Sequence, residues 1–202
     1  MKKITISLLA AFAIIVSACN SGHSTHNEKE TAKTDQPADE EEPVKQVKAS
    51  FTNVDAGVST YMKKLTDDYL AVKNALTNGK ASEAADASKN MSAAMKDFDK
   101  SLLTAEQKKV YDANEDDLKE HAEHMAKNAG DIEHQREHFS MMSEDMYALV
   151  KAFGGGKTLY HDHCPMAKEN KGAMWLSESK AIRNPYFGEK MMECGSVEEE
   201  LQ

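Results

Sequence analysis

Two pairs of sulfur-containing side chains lie in the last quarter of this chain. Cys164 and Met166 stand two positions apart in the segment YHDHCPM, and Met191 and Cys194 stand three positions apart in the segment MMECG. Thiolate and thioether sulfurs are soft donors that select Cu(I) over hard cations. Pro165 restricts the backbone between the first two sulfurs, so both can be presented from one fixed turn. The pattern indicates a soft-metal site, on condition that the two pairs converge in the folded chain.

Two histidines and one covalent alternative bear on this interpretation. His161 and His163 lie just before Cys164, and we include both as candidate ligands because imidazole suits copper and zinc. In an oxidising compartment, Cys164 and Cys194 would instead be able to form a disulfide. Such a bridge would close a loop of about 30 residues and contribute on the order of 3 kcal/mol to stability in the loop-entropy model. A disulfide sulfur is a poor ligand, so the two interpretations exclude each other, and spacing leaves both open.

A second group of histidines flanks an expected turn at Gly130, with His121 and His124 before it and His134 and His138 after it. His121 and His138 should reach similar heights in a helical hairpin. His134 and His138 are one helical turn apart, a spacing that lets two imidazoles hold one ion, so we name both as candidate metal ligands. The alternative is that they are solvated residues at the rim of a bundle, because they lie one position off the apolar stripe. We expect His121 to be a partly buried bundle residue.

The N-terminus has the pattern of a lipoprotein signal peptide. Lys2 and Lys3 precede an apolar run over residues 4–16, which has the length of a signal h-region and is short for a membrane span. The run ends in the letters VSAC, where small residues before Cys19 resemble a lipobox. We expect residues 1–18 to be removed and Cys19 to be lipidated. Its acyl chains would then hold the protein on the outer or inner membrane, with the domain in the periplasm or at the cell surface.

The composition excludes several classes of function. The formal net charge is -9 and 29% of the residues are charged, which argues against a surface for nucleic acid. No serine elbow, Walker loop, dinucleotide fingerprint or zinc-protease helix occurs in the sequence. A catalytic Cys164 would need a facing base and an oxyanion site, for which the sequence gives no sign. We therefore expect that the protein is not an enzyme.

The remaining chain divides into three parts. Residues 19–49 contain almost no apolar residue to bury and should form a disordered tether. Residues 50–156 carry four amphipathic helical segments with short joins, the first beginning with Phe51 and Val54, and predict an all-α, up-down antiparallel four-helix bundle. Asn78-Gly79 and Gly154 are stop signals, the segment 104–107 looks like a capping box, and Asp131 can cap the fourth helix. Residues 157–202 should form an irregular segment of the same domain, packed on the bundle, with a short helix near residues 197–201.

Several ordered segments resemble a known family over roughly residues 54–201. They are Tyr160 with Cys164-Pro165-Met166-Ala167, Trp175-Leu176-Ser177, Ile182 with Asn184-Pro185-Tyr186-Phe187-Gly188, and Met191 with Cys194-Gly195. The chain resembles a domain of unknown function that occurs in exported bacterial lipoproteins and is also appended to periplasmic adaptor subunits of copper and silver efflux pumps. The resemblance implies heavy-metal handling, chiefly of copper, and favours the sulfur site over the disulfide. It extends to Cys164, Met166, Met191 and Cys194, and not to the histidines at 121, 124 and 138.

These observations give one expected function and one alternative. We expect a membrane-tethered extracytoplasmic protein that binds Cu(I), with Ag(I) and Zn(II) as the other candidate ions, and that buffers the metal or delivers it to efflux components. The chain lacks the hairpin and barrel segments that an efflux adaptor would need. The alternative is a structural or interaction module that binds no metal and is stabilised by a disulfide between Cys164 and Cys194.

Overall fold

Four long helices occupy the middle of the chain in the computed structural model, which describes residues 43–202. They are α1 (Ala56–Thr77), α2 (Ala81–Lys96), α3 (Ala105–Lys127) and α4 (Ile132–Phe153). Each packs against the next, and α4 also packs against α1, so the four-helix bundle is confirmed. The expected signal peptide, Cys19 and most of the expected tether lie outside the described residues. No helix among residues 43–202 combines the length and the apolar character that a membrane span requires.

Local capping signals set the ends of these helices. Thr104 and Gln107 form the expected reciprocal capping box at the start of α3. The Asp131 carboxylate accepts a hydrogen bond of 3.0 Å from the His134 amide at the start of α4. The first helix begins later than expected, because the Asp55 carboxylate caps its N-terminus by accepting the Gly57 N–H at 2.7 Å.

The C-terminal segment forms a sheet, so the prediction of an all-α fold with an irregular C-terminal segment is wrong. The strands are β1 (Lys45–Val47), β2 (Leu159–Cys164), β3 (Ala173–Ser177) and β4 (Ser196–Leu201), in the spatial order β1-β4-β2-β3. β2 is antiparallel to β3 and to β4, whereas β1 is parallel to β4. The short helix expected near residues 197–201 is therefore a strand. The segment 45–47, expected to be part of the tether, is also a strand.

The sequence pattern does not predict the sheet, because its strands are stabilised by residues that are distant in the chain. β4 reads SVEEEL, and three consecutive glutamates give no alternation of apolar and polar residues. Glu199 is nevertheless buried in β4, because its carboxylate accepts hydrogen bonds from Lys45 Nζ and Tyr147 Oη, each at 2.5 Å. Lys45 lies 154 positions earlier in the chain. No local pattern in the sequence carries that information.

The hydrophobic core fills the bundle and continues to the inner face of the sheet. β3 packs on α4 and α1, and Trp175 on this strand is fully buried. Tyr69 of α1 connects the two parts, since its hydroxyl accepts the Leu176 N–H at 3.0 Å and lies 2.7 Å from Ser143 Oγ on α4. Most of the helix methionines are buried in this core and serve as packing residues, namely Met62, Met91, Met95, Met125, Met142 and Met146.

Candidate metal centres

Four histidines meet where α3 and α4 lie side by side near their connecting turn. His121 and His124 come from α3, and His134 and His138 come from α4. The helices place them there because the turn at residues 128–131 folds α4 back along α3, and because each pair is spaced by about one helical turn. All four side chains are half-buried. They therefore lie at the edge of the core, within reach of solvent ions.

The rings of this histidine cluster are in mutual contact. One nitrogen from each of His124, His134 and His138 lies within 4.8 Å of the other two, the only such group of three or more potential metal-ligating side chains among residues 43–202. The ring centroids of His124 and His134 are each 4.6 Å from that of His138. His121 Nδ1 lies 3.1 Å from His138 Nδ1. His138 is thus at the centre of the cluster.

The surroundings of His121 and His138 favour the neutral form of these two imidazoles. Burial lowers the pKa of His138 to about 4, with additional repulsion from His124, His134 and His121. Burial likewise lowers the pKa of His121. Carboxylates lie at the rim, with Glu120 Oε1 3.8 Å from His124 Nε2 and Glu137 Oε2 3.8 Å from His134 Nδ1. Neutral imidazole is the form that binds metals.

The second candidate centre is a thiol pair formed by Cys164 and Cys194. Cys164 is buried at the end of β2, Cys194 is half-buried in the loop before β4, and neither is in a disulfide. The Cys194 thiol lies close enough to the Cys164 thiol and to the Met166 N–H for both to shift its pKa. The two sulfur-bearing segments of the sequence are therefore neighbours in the fold.

Two loop residues bring Cys194 to this position. Asn184 is fully buried, and its side-chain amide donates a hydrogen bond of 2.7 Å to the Cys194 carbonyl oxygen. Gly195 has a φ of +141° and passes so close to the sheet that a Cβ at this position would lie 3.0 Å from the His163 carbonyl oxygen. A side chain there would push the loop away from β2. Glycine at this position therefore permits the approach of Cys194 to Cys164.

The Cys194 thiol resists ionisation. The neighbouring Cys164 thiol and burial raise the pKa of Cys194 to about 11, although the Met166 N–H acts in the opposite direction. The Cys194 thiol is therefore protonated at neutral pH. A metal ion that binds here must displace its proton, which makes binding pH-dependent.

The backbones of Met166 and Met191, the two methionines of the sulfur pattern, lie beside Cys194. Met166 is 46% exposed, so its thioether is accessible from solvent. Met191 is half-buried, and its carbonyl oxygen accepts the Cys194 N–H at 3.1 Å. Both thioethers are near the thiol pair in the chain, and both remain candidate ligands.

His161 and His163 are brought together with each other rather than with the thiols. Their Nδ1 atoms lie 3.6 Å and 3.5 Å from the two carboxylate oxygens of Glu198 on β4. Successive residues of a strand point to opposite faces, so His163 lies on the face of β2 away from the buried Cys164. The His161 ring stacks on Tyr147 at 4.4 Å, and burial lowers its pKa. These two histidines form a separate pair beside Glu198.

Sequence reasoning missed the role of one buried ionisable residue near the thiols. Asp162 shares the inner face of β2 with Cys164 and is fully buried. Both of its carboxyl oxygens lack a hydrogen-bond partner among the described residues. Burial raises the pKa of Asp162 to about 8, although the buried Lys73 acts in the opposite direction. A buried ionisable residue such as Asp162 can be recognised from sequence only when the strand that carries it, and the face that this strand buries, are already known.

His124 is the second residue to which sequence reasoning gave too little weight. It lies six positions before Gly130, and His134 lies four positions after it, so a hairpin brings them to comparable heights. Height alone did not show which faces of the two helices meet. The structure places His124 against His138 and makes it a third member of the cluster with His134.

The comparisons with known proteins concern the helical part of the chain. No curated protein and no solved structure matches it. One family model matches residues 65–158, which extend from the middle of α1 to the residue before β2 and include all four clustered histidines but neither sulfur pair. That family is described as "Protein of unknown function (DUF3347)", and residues 65–158 of this chain are similar to it.

Proposed function

We propose that this is an exported, lipid-anchored protein that binds a heavy metal, Cu(I) in the first place, and buffers it or delivers it to efflux machinery. One observation carries the metal-binding part of the proposal. The segments 164–166 and 191–194 are distant in sequence, yet the Cys194 thiol lies against the Cys164 thiol and the Met166 N–H. The proximity of the two cysteines supports a soft-metal site at this point of the fold.

The chemistry of the thiol pair suits Cu(I). Soft sulfur donors favour Cu(I), Ag(I) and, less selectively, Zn(II), and they disfavour hard cations. Two adjacent cysteines supply two thiolates after loss of their protons, and Met166 and Met191 supply thioethers from the same two segments. The exposure of Met166 gives the site contact with solvent, which a protein that exchanges metal with a partner requires.

The location outside the cytoplasm is inferred from the N-terminal sequence. The charged start, the apolar run over residues 4–16 and the small residues before Cys19 have the pattern of a lipoprotein signal. The resemblance to a domain found in exported lipoproteins and on metal-efflux adaptors supports the same inference. We infer that the bundle and sheet are held at a membrane surface through Cys19, where efflux components would be accessible.

The contact between the two thiols also favours a second candidate function. In an oxidising compartment adjacent cysteines readily form a disulfide, and a bridge between Cys164 and Cys194 would fasten the loop before β4 to the sheet. The protein would then be a structural or interaction module whose bundle surface binds a partner. A disulfide would remove both thiolates from metal chemistry.

Counting thiols and titrating with Cu(I) separate the two functions. The protein is purified from the cell envelope without reductant and treated with an alkylating reagent. Lipidated Cys19 has no free thiol, so modification of two cysteines identifies a reduced pair. The protein is then titrated with Cu(I) against a competing chelator while Trp175 fluorescence is followed. Trp175 is a suitable reporter because its ring lies against Gly195, next to Cys194.

Variants locate the site. We expect Cys164→Ala and Cys194→Ala each to weaken Cu(I) binding at least tenfold, whereas Met141→Leu, which changes an exposed methionine on α4, should leave it unchanged. Two blocked cysteines in envelope-purified protein, together with no competition for Cu(I) after reduction, would eliminate the metal function and leave the structural one.

A further inference from the structure

We propose that His124, His134 and His138 form a second metal site, which binds one divalent ion of borderline softness, Cu(II) or Zn(II). The inference goes beyond the proposed function, because it assigns a different site with different ligand chemistry. It requires neither cysteine. It stands on the geometry of the histidine cluster, and it remains open to test whether or not the thiol pair binds Cu(I).

The first argument is distance. The three ligating nitrogens lie within 4.8 Å of one another. Two imidazole nitrogens that share a tetrahedral Zn(II) lie about 3.4 Å apart, because each is about 2.0–2.1 Å from the ion. The largest separation therefore has to shrink by about 1.4 Å, which side-chain rotation can provide at the edge of a bundle.

The second argument is the hydrogen bond between the rings of His121 and His138. The two Nδ1 atoms are 3.1 Å apart, so one ring donates its proton to the other. When His138 Nδ1–H donates to His121 Nδ1, the Nε2 atom of the neutral His138 ring carries a free lone pair. That lone pair is available to an ion held with His124 and His134. Metal-bound histidines commonly donate their second ring N–H to an acceptor in this way.

The third argument concerns the choice of ion. Three imidazoles and no thiolate favour Cu(II) and Zn(II) over hard cations such as Mg(II) and Ca(II), which require oxygen ligands. Glu120 and Glu137 lie 3.8 Å from His124 and His134, so they supply negative charge beside the site and can orient these rings. Three protein ligands leave one position of a tetrahedral ion open to water or to a ligand from a partner. Of the two ions, Cu(II) should bind more tightly.

The test uses protein in which the thiols and the N-terminal histidines cannot contribute. The background carries Cys164→Ala, Cys194→Ala, His23→Ala and His26→Ala, and its fold is checked by circular dichroism. Competitive titration with Zn(II) and with Cu(II) should give one ion per chain. Adding His134→Asn or His138→Asn should weaken affinity for both ions at least tenfold. Glu106→Gln, which changes an exposed residue at the opposite end of α3 from the cluster, should leave it unchanged.

A second measurement, in the same thiol-free background with the histidine cluster intact, guards against cluster variants that disturb the fold. Substoichiometric Cu(II) should broaden the imidazole NMR signals of His124, His134 and His138 before those of His161 and His163. Stoichiometric binding that survives both His134→Asn and His138→Asn, or broadening that begins at His161 and His163, would overturn the proposal. Because the titration background contains neither Cys164 nor Cys194, failure here says nothing against the Cu(I) site, and failure of the Cu(I) site leaves this result standing.

Discussion

His121 and His138 face each other across the α3–α4 hairpin with their Nδ1 atoms 3.1 Å apart. A hydrogen bond between two imidazoles needs one bare nitrogen, so the two rings cannot both be protonated while it exists. The lowered pKa of both residues agrees with this requirement. The contact therefore makes His121 a positioning residue for the histidine cluster, and its effect on binding can be separated from simple packing.

Replacing His121 by alanine should weaken Zn(II) binding at the cluster about tenfold or more, the range found for the loss of an outer-shell partner. His121→Asn should recover most of the affinity, because its side-chain oxygen can accept the His138 Nδ1 proton. Competitive Zn(II) titration measures both. Equal losses in the two variants would indicate a packing role for His121, and no loss in either would remove it from the site.

Asp162 should make the stability of the protein depend on pH. Its pKa is raised to about 8 in the folded state, above the value of about 3.9 expected in the unfolded chain. Its contribution is therefore complete below pH 4 and is lost as the pH rises through 8, because the unfolded chain releases this proton and the folded chain retains it. Asp162→Asn should remove this loss and raise the free energy of unfolding at pH 9 relative to the unmodified protein, by on the order of a few kcal/mol.

Urea unfolding of the Asp162→Asn variant and of the unmodified protein at pH 5, 7 and 9 measures this difference. The stability gap should widen in favour of the variant as the pH rises. A gap that stays constant over this range would mean that Asp162 is ionised in the folded protein, with Lys73 as its compensating charge.

Tyr69→Phe should destabilise the protein by about 1–3 kcal/mol, since it leaves buried polar groups without a partner. Ser143 Oγ donates to the Phe139 carbonyl oxygen at 2.8 Å, so the Tyr69 hydroxyl donates to Ser143 and accepts the Leu176 N–H. A double-mutant cycle with Ser143→Ala, measured by urea unfolding, isolates the coupling between the two hydroxyls. Additive effects of the two substitutions would show that the contact contributes no coupling energy.

Asn184→Asp tests how the loop that carries Cys194 is held. The substitution keeps the oxygen that accepts the Tyr186 and Phe187 amides but removes the donor to the Cys194 carbonyl oxygen. We expect Cu(I) affinity to fall at least tenfold, while Zn(II) affinity of the histidine cluster stays the same. Unchanged Cu(I) affinity would show that this hydrogen bond does not position the thiol, and a parallel fall in Zn(II) affinity would indicate general unfolding.

The helical part of the fold could be predicted from the sequence because the residues that determine it are close together in the chain. Apolar residues recur every three or four positions, and Thr104 with Gln107 and Asp131 are caps that act within one turn. The sheet depends on pairing between remote segments. The three glutamates of β4 give no strand pattern. The burial of Glu199 depends on hydrogen bonds from Lys45 and Tyr147, and the residues next to Glu199 in the sequence give no indication of these partners.

The candidate sites, like the fold, could be predicted from the sequence only in part. Residue types identified Cys164 and Cys194, but only the fold brings them together, through a loop fixed by Asn184. Helix spacing placed His134 and His138 on one face, yet it did not show that His124 meets them. Facing of two helices depends on how their apolar stripes pack, which spacing along one helix does not determine.

The pairing of β1 with β4 has a consequence for the order in which the molecule folds. Lys45 and Glu199 are 154 positions apart, whereas His121 and His138 are 17 apart. Contacts between nearby residues close quickly, and contacts that span most of a chain close late, because the entropy of a long loop has to be overcome first. We therefore expect the imidazoles to meet in an early, helical folding intermediate. Cys164 and Cys194 are 30 positions apart, so we expect the sulfurs to meet after the imidazoles and before β1 pairs with β4.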